Sequence, residues 1–172
     1  MDEIESLFED YKSAHSLAIK NGDLSLAATL SEVFRKSLLI AAASRLEYRF
    51  RKEIESFYKK VTSENEYAVE FVRNKAIERQ YHTWFAWDRA NANSFYGLFG
   101  NSFRLIMQER EKQSPEMKAS MINFVRLGHQ RNLLAHNDYV TFAPDLSAED
   151  VFKDYKSALD FVKEIKGQLT QE

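Results

Sequence analysis

Arg131, Asn132 and His136 stand within a six-residue span of RNLLAHNDY, the stretch Arg131 to Tyr139. They bring together a permanent cation, an amide, and a side chain that exchanges protons near neutral pH. Leu133, Leu134 and Ala135 lie between them. A fully solvated helix face would not hold that apolar trio, and a pure core helix would not hold Arg131 and His136. The combination implies an active site built into a helical bundle, with a phosphodiester as its target.

RNA cleavage without a metal sets a short list of requirements. A base must take the proton of the 2′-hydroxyl, an acid must protonate the departing 5′-oxygen, and a cation must hold the charge that grows on phosphorus. His136 has the chemistry of an acid or a base. The planar fork of Arg131 fits two phosphate oxygens at once. Asn132 would orient the phosphate or the ribose. Residues five apart lie about 140° apart around a helix, so Arg131 and His136 border one cavity only at a frayed helix end or at a seam between helices. One such histidine per chain is too few for both proton transfers, and a symmetric dimer would supply the second.

Each of these residues also has a plainer reading. Arg131 and His136 could be a surface arginine and a histidine at a helix end, and Asn132 could hydrogen-bond within the bundle. Glu47 could pair with Arg51 or Lys52 along its own helix, or point inward to orient Arg131 or His136. His129 is expected to be exposed, and His82 to be a packed core or interface histidine. The aromatics Trp84, Phe85, Trp87, Phe95, Phe99 and Phe103 invite a base-stacking reading, but helical spacing favours packing.

Helices must position all of this. Ile4, Leu7, Phe8, Tyr11, Ala14 and Ala18 recur at helical spacing, Asn21-Gly22 stops that helix, and Asp23 caps the next. A long helix is expected from about Leu24 to about Thr62, with one stripe through Leu26, Leu30, Val33, Ser37, Ile40, Ser44, Glu47, Ile54 and Tyr58. Glu47 is the odd member of it, an acid on an apolar face. A third segment spans roughly Glu64 to Gln80, carrying Tyr67, Phe71, Val72 and Ile77. Asn91, Asn93, Gly97 and Gly100 imply short or broken helices between Tyr81 and Phe103. From there to Lys112 helical periodicity resumes through Leu105 and Ile106. Ser114-Pro115-Glu116 starts the helix that carries the motif and ends near Asn137-Asp138. Ser147 to Asp150 caps a last helix ending near Gly167.

Composition agrees with long helices: Gly 5 and Pro 2 in 172 residues leave few breaks, and no strand alternation competes. Cys 0 excludes disulfides, thiol nucleophiles and zinc–cysteine sites. No apolar run reaches a membrane span, and the acidic start MDEIESLFED is unlike a leader peptide, so the expected setting is cytoplasmic. With a net charge of -2, nucleic-acid contact would need a local patch. Arg104, Arg110, Lys112, Lys118, Arg126 and Arg131 outnumber the acids between Phe103 and His136, which points to an anionic ligand there. No glycine-rich phosphate loop, carboxylate metal cluster or Ser-His-Asp set appears, so kinase, metallonuclease and hydrolase readings fall away.

The stretch RNLLAHNDY resembles the signature of HEPN domains: arginine, a polar residue, several further residues, histidine. The segments AAASRLEYRFRKEIESFY and WFAWDRANANSFYGLFGNSF are similar to the HEPN ribonuclease-like subgroup called RiboL-PSP. The resemblance covers most of the chain, with the diagnostic part confined to Arg131 to His136. It implies an all-α helical bundle, here read as one domain over residues 1–172 with roughly five to seven helices. It also implies a homodimer whose two motif helices meet in a cleft, and a metal-independent endoribonuclease in toxin–antitoxin, phage-defence or RNA-processing settings. No cofactor or metal is expected; the expected partners are RNA, a second copy, and an antitoxin or defence protein. Arg131, Asn132 and His136 match the signature, and Glu47 matches an acidic position on the second helix. One departure concerns silencing. Members silenced by nucleotidyl transfer carry tyrosine two residues after the histidine, where this chain has Asp138, with Tyr139 one place further. Two other readings stand beside the enzyme: a non-catalytic HEPN module binding RNA, a nucleotide or a protein, and a helical adaptor whose motif fixes a dimer.

Overall fold

A computed structural model describes residues 2–170, which form eight α-helices and a π-helical turn, with no strand among the described residues. The helices are α1 (Glu3–Lys20), α2 (Leu24–Val61), α3 (Glu66–Val72), α4 (Tyr81–Trp84), α5 (Asn93–Gly97), α6 (Asn101–Gln113), α7 (Pro115–His136) and α8 (Ala148–Thr170). The all-α class is as expected. The number of helices exceeds the expected range because the aromatic stretch contributes α4 and α5, each little more than one turn.

Side-chain caps set the starts. Asp2 closes a capping box with Glu5, Asp23 accepts from the Leu26 amide at 2.9 Å, and Ser114 accepts from the Met117 amide at 3.1 Å with Pro115 in the first turn. Each satisfies an amide that the helix itself leaves free. Between α1 and α2 the chain turns at Gly22, whose φ of +75° is the left-handed conformation that glycine adopts without strain. The last helix runs past Gly167 to Thr170, beyond the expected stop.

α2 is the spine, with α1, α7 and α8 packed along it and α7 packed closely on α8. Phe50 of α2 marks the centre of the core. Its ring lies 4.8 Å from Phe95, 5.1 Å from Phe124, 5.5 Å from Phe85 and 6.0 Å from Phe161, which joins α2, α5, α7, α8 and the segment after α4. Most of the aromatic stretch is therefore packing material, as the helical spacing implied.

The buried face of α2 shares only Ile54 with the expected stripe. Ala27, Leu38, Leu39, Ala42, Ala43, Leu46, Phe50 and Ile54 face the core, whereas Leu26, Val33 and Ile40 are exposed. Because three helices cover α2, apolar residues occur on several of its sides, and periodicity alone picks no single face. Likewise Tyr67 and Phe71 of α3 are exposed and Val69 is buried in their place, although Ile77 is buried as expected, and α6 buries Met107 rather than Leu105 or Ile106.

After α3 the helix widens into the π-helical turn Arg73–Ile77, where the Glu78 amide donates to the Arg73 carbonyl. Arg73 is ion-paired with Glu70 and, at 2.7 Å, with the buried Glu55 of α2. Burial pushes the Glu55 carboxyl up, but hydrogen bonds from Arg73, Lys59 and Lys52 outweigh it and bring its pKa to about 2.

Candidate active site

α7 delivers the motif. Leu134 is buried and fixes the rotation of the helix, leaving Arg131 and Asn132 half-buried on one flank and His136 exposed at the last residue. Asn137 ends the helix and donates its side-chain amide to the Leu133 carbonyl at 2.7 Å.

Arg131 is held by two partners. Its Nη2 donates to Glu47 Oε2 of α2 at 3.3 Å, and its Nη1 donates to Asn132 Oδ1 at 3.1 Å. Glu47 also lies 3.7 Å from Arg51 on its own helix. Both sequence readings of Glu47 therefore hold together: it pairs along α2 and it turns inward to Arg131. Of the two partners expected along α2, Arg51 is the one beside Glu47, and Lys52 pairs with Glu55.

The pair opens onto a narrow cleft whose enclosed space is about 20 Å³, room for roughly one water molecule. Glu47 of α2, Arg131 and Asn132 of α7, and Tyr81, His82 and Trp87 of the aromatic segment all line it. Burial pushes the Tyr81 phenol well above its ordinary pKa; the Glu47 charge adds to the rise and Arg131 opposes it. Tyr81 therefore keeps its proton at the wall of the cleft.

A close approach builds the wall opposite Arg131. A Cβ on Gly128 of α7 would lie 2.0 Å from the Trp87 ring, so only glycine lets the indole come this close to the helix there. Trp87 Nε1 then donates to the His82 carbonyl at 2.9 Å. The sequence reading missed this residue: His82, expected to be packed, is exposed at the cleft. A lone glycine inside a helical run, facing a tryptophan-rich segment, was the available signal. His129, expected to be exposed, is half-buried.

His136 does not line the cleft. It stands four residues after Asn132, on the same face of α7 and about 6 Å further along the axis. The chain beyond it is tied back to α2. Lys36, a buried lysine, donates to the carbonyls of Tyr139 (2.9 Å) and Val140 (3.3 Å), lies over the Tyr139 ring, and pairs with Glu32. Gln130 of α7, also buried, accepts from the Asp145 amide further on.

Four of the six cations between Phe103 and His136 are tied up in ion pairs, and Lys118 has no ion pair among the described residues. Arg110 pairs with Glu164, Lys112 with Glu109, Arg126 with Asp154 and Arg131 with Glu47, while Arg104 bonds to Asn101. Among the described residues, no three of His, Asp and Glu gather as metal ligands, and no helix is long and apolar enough to cross a membrane.

Compared with known families, residues 2–171 match the family model described as RiboL-PSP-HEPN. The chain belongs to the RiboL-PSP-HEPN family. No curated protein and no solved structure matches it. The HEPN match takes in α2, the aromatic segment and α7 alike, so every wall of the cleft lies within the matched residues. An all-α fold is consistent with HEPN membership.

Proposed function

We propose that this HEPN chain is a metal-independent endoribonuclease. The observation that carries the reading is the Arg131 fork, held by Glu47 and Asn132 at the edge of a cleft, with His136 one turn beyond Asn132 on the same helix. A phosphodiester seated on Arg131 exchanges the fork's internal partners for two of its own oxygens. The 2′-oxygen loses its proton to a base and bonds to phosphorus. The bond from phosphorus to the 5′-oxygen then breaks, and an acid supplies that oxygen with a proton. The products are a 2′,3′-cyclic phosphate and a 5′-hydroxyl. Arg131 stabilises the charge on the non-bridging oxygens, Asn132 positions the phosphate, and His136 carries a proton. Glu47 holds the guanidinium in place.

The chain acts as a homodimer in this reading. Leu26, Val33 and Ile40 are exposed at seven-residue spacing on α2, a line that leads to Glu47 seven residues further on. A second copy covering that line would bring two motif helices near one another. The biological role that goes with it is a toxin or phage-defence effector, held in check by an antitoxin or defence partner.

Purified protein incubated with mixed RNA in EDTA tests the activity, with His136→Ala beside it. Cleavage by the wild type that His136→Ala abolishes is the expected result. No cleavage, or equal cleavage by both, refutes it. The second reading, a module that binds RNA, a nucleotide or a partner protein without cutting, draws on the position of His136 outside the cleft. Binding without cleavage in the same experiment would select it. Toxicity on expression that His136→Ala relieves would support the effector role.

A further inference from the structure

Transesterification moves two protons, and the motif supplies one histidine. The groups that line the cleft narrow the choice of a second carrier. Arg131 supplies a fixed charge by residue type and is no proton carrier. Glu47 is engaged by Arg131 and Arg51, and the Tyr81 phenol holds its proton too firmly to act as a base near neutrality. His82 remains. Its imidazole makes no hydrogen bond among the described residues, and it is exposed to the cleft that Arg131 and Asn132 border.

The position of His82 is built rather than incidental. Trp87 grips the His82 carbonyl, and the Trp87 ring is seated where α7 has glycine, one turn before Arg131. The backbone that carries the imidazole is thereby fixed to the same helix that carries the arginine. His136 lies about 6 Å beyond Asn132 on that helix, outside the cleft. A phosphate on Arg131 would thus have His82 on its cleft side and His136 on its outer side.

We infer that His82 is the second proton carrier of the Arg131 site, exchanging a proton with one reacting oxygen while His136 serves the other. One imidazole takes the 2′-hydroxyl proton as the new oxygen–phosphorus bond forms. The other gives a proton to the 5′-oxygen as the old bond breaks, and the two rings end in exchanged protonation states. One chain then holds both carriers, and the dimer is not needed to provide a second histidine. The charged and titratable groups facing His82 are Glu47 from α2, Arg131 from α7 and Tyr81 beside it.

The inference rests on the ribonuclease reading, and the test separates the two. Cleavage by wild type, His82→Asn, His82→Ala and Thr83→Ala is followed as kcat, KM and a pH profile, with thermal melts as a control for folding. Thr83 is an exposed neighbour bonded only to Gln80 of the preceding turn. The expected result is a fall of about 100-fold in kcat for His82→Asn with KM nearly unchanged, and the loss of one limb of the pH profile. Imidazole in the buffer should partly restore His82→Ala, and Thr83→Ala should match the wild type. A cleaving wild type with His82→Asn equally fast and unchanged in pH profile overturns the inference alone. So does a rise in KM with kcat intact, which would make His82 a binding group. A wild type that does not cleave overturns the ribonuclease reading and this inference with it.

Discussion

Gly128→Ala puts the architecture of the cleft to a direct test. The new Cβ would meet three Trp87 ring carbons at 2.0, 2.4 and 2.9 Å. To reach ordinary contact, the indole must retreat by about 1.5 Å. Tyr81, Phe85 and Phe124 stand behind and beside it, at ring distances of 5.5, 4.8 and 6.5 Å, so it cannot swing freely. Overpacking of this kind costs about 1–3 kcal/mol. Losing the hydrogen bond from Trp87 to the His82 carbonyl adds about 1 kcal/mol. Replacing glycine by alanine inside a helix returns about 1 kcal/mol. The net is a destabilisation of about 2 kcal/mol, or a melting point lower by about 4–8 °C for a chain of this size. Circular dichroism melts measure it. The same substitution made in a Trp87→Ala background should change sign, since the clash is gone and only the helix preference remains, worth up to about 1 kcal/mol. A Gly128→Ala protein at least as stable as the wild type, or an effect of one sign in both backgrounds, would refute the close approach.

Removing the anion beside Arg131 with Glu47→Gln should tighten RNA binding about fivefold, the equivalent of about 1 kcal/mol for a partly exposed ion pair. Fluorescence anisotropy with labelled RNA measures it, and weaker binding would mean that Glu47 matters more as an orienting group than as a competitor. Glu55 predicts an acid-sensitive contribution to stability. Its folded pKa of about 2 lies below the ordinary 4.5, so the contribution is complete above the ordinary value and fades as pH falls through the folded one. Allowing for solvent screening, the stability gap between wild type and Glu55→Gln in urea melts should shrink by about 1–2 kcal/mol between pH 6 and 2 (about those limits), and a constant gap would contradict the ion-pair knot. Val33→Asp, on an exposed position of α2, should leave the melt within about 2 °C and convert a dimer to a monomer in light scattering; an unchanged mass would place the interface elsewhere.

Local signals in the sequence carried the helix starts well. Ser114-Pro115, Asp23 and Ser147 each cap the helix they announce, because capping is settled within three or four residues. The inward turn of Glu47 was one of two options open in the sequence, but the stripe that suggested it is exposed at Leu26, Val33 and Ile40, so the contact with Arg131 depends on how α7 packs on α2. What stayed hidden depends on contacts distant along the chain. His82 reaches the cleft because the aromatic segment folds back on α7 at Gly128, more than forty residues later. Charge counting found six cations around the motif but could not see their partners, several of which sit on α8 or α2. The buried side of α2 was misread for a related reason: its covering helices come from both ends of the chain.

Lys36 and Glu47 give α2 a further property, that of a ruler. They lie eleven residues apart, three turns and about 16 Å, and so point the same way. Lys36 holds the chain just past His136, and Glu47 holds Arg131. The spacing between the two ends of the motif is thus copied from the pitch of a single uninterrupted helix. One residue inserted between these two anchors would turn one of them about 100° away from the other. Length changes between Lys36 and Glu47 should therefore be harder for this chain to accommodate than most substitutions there.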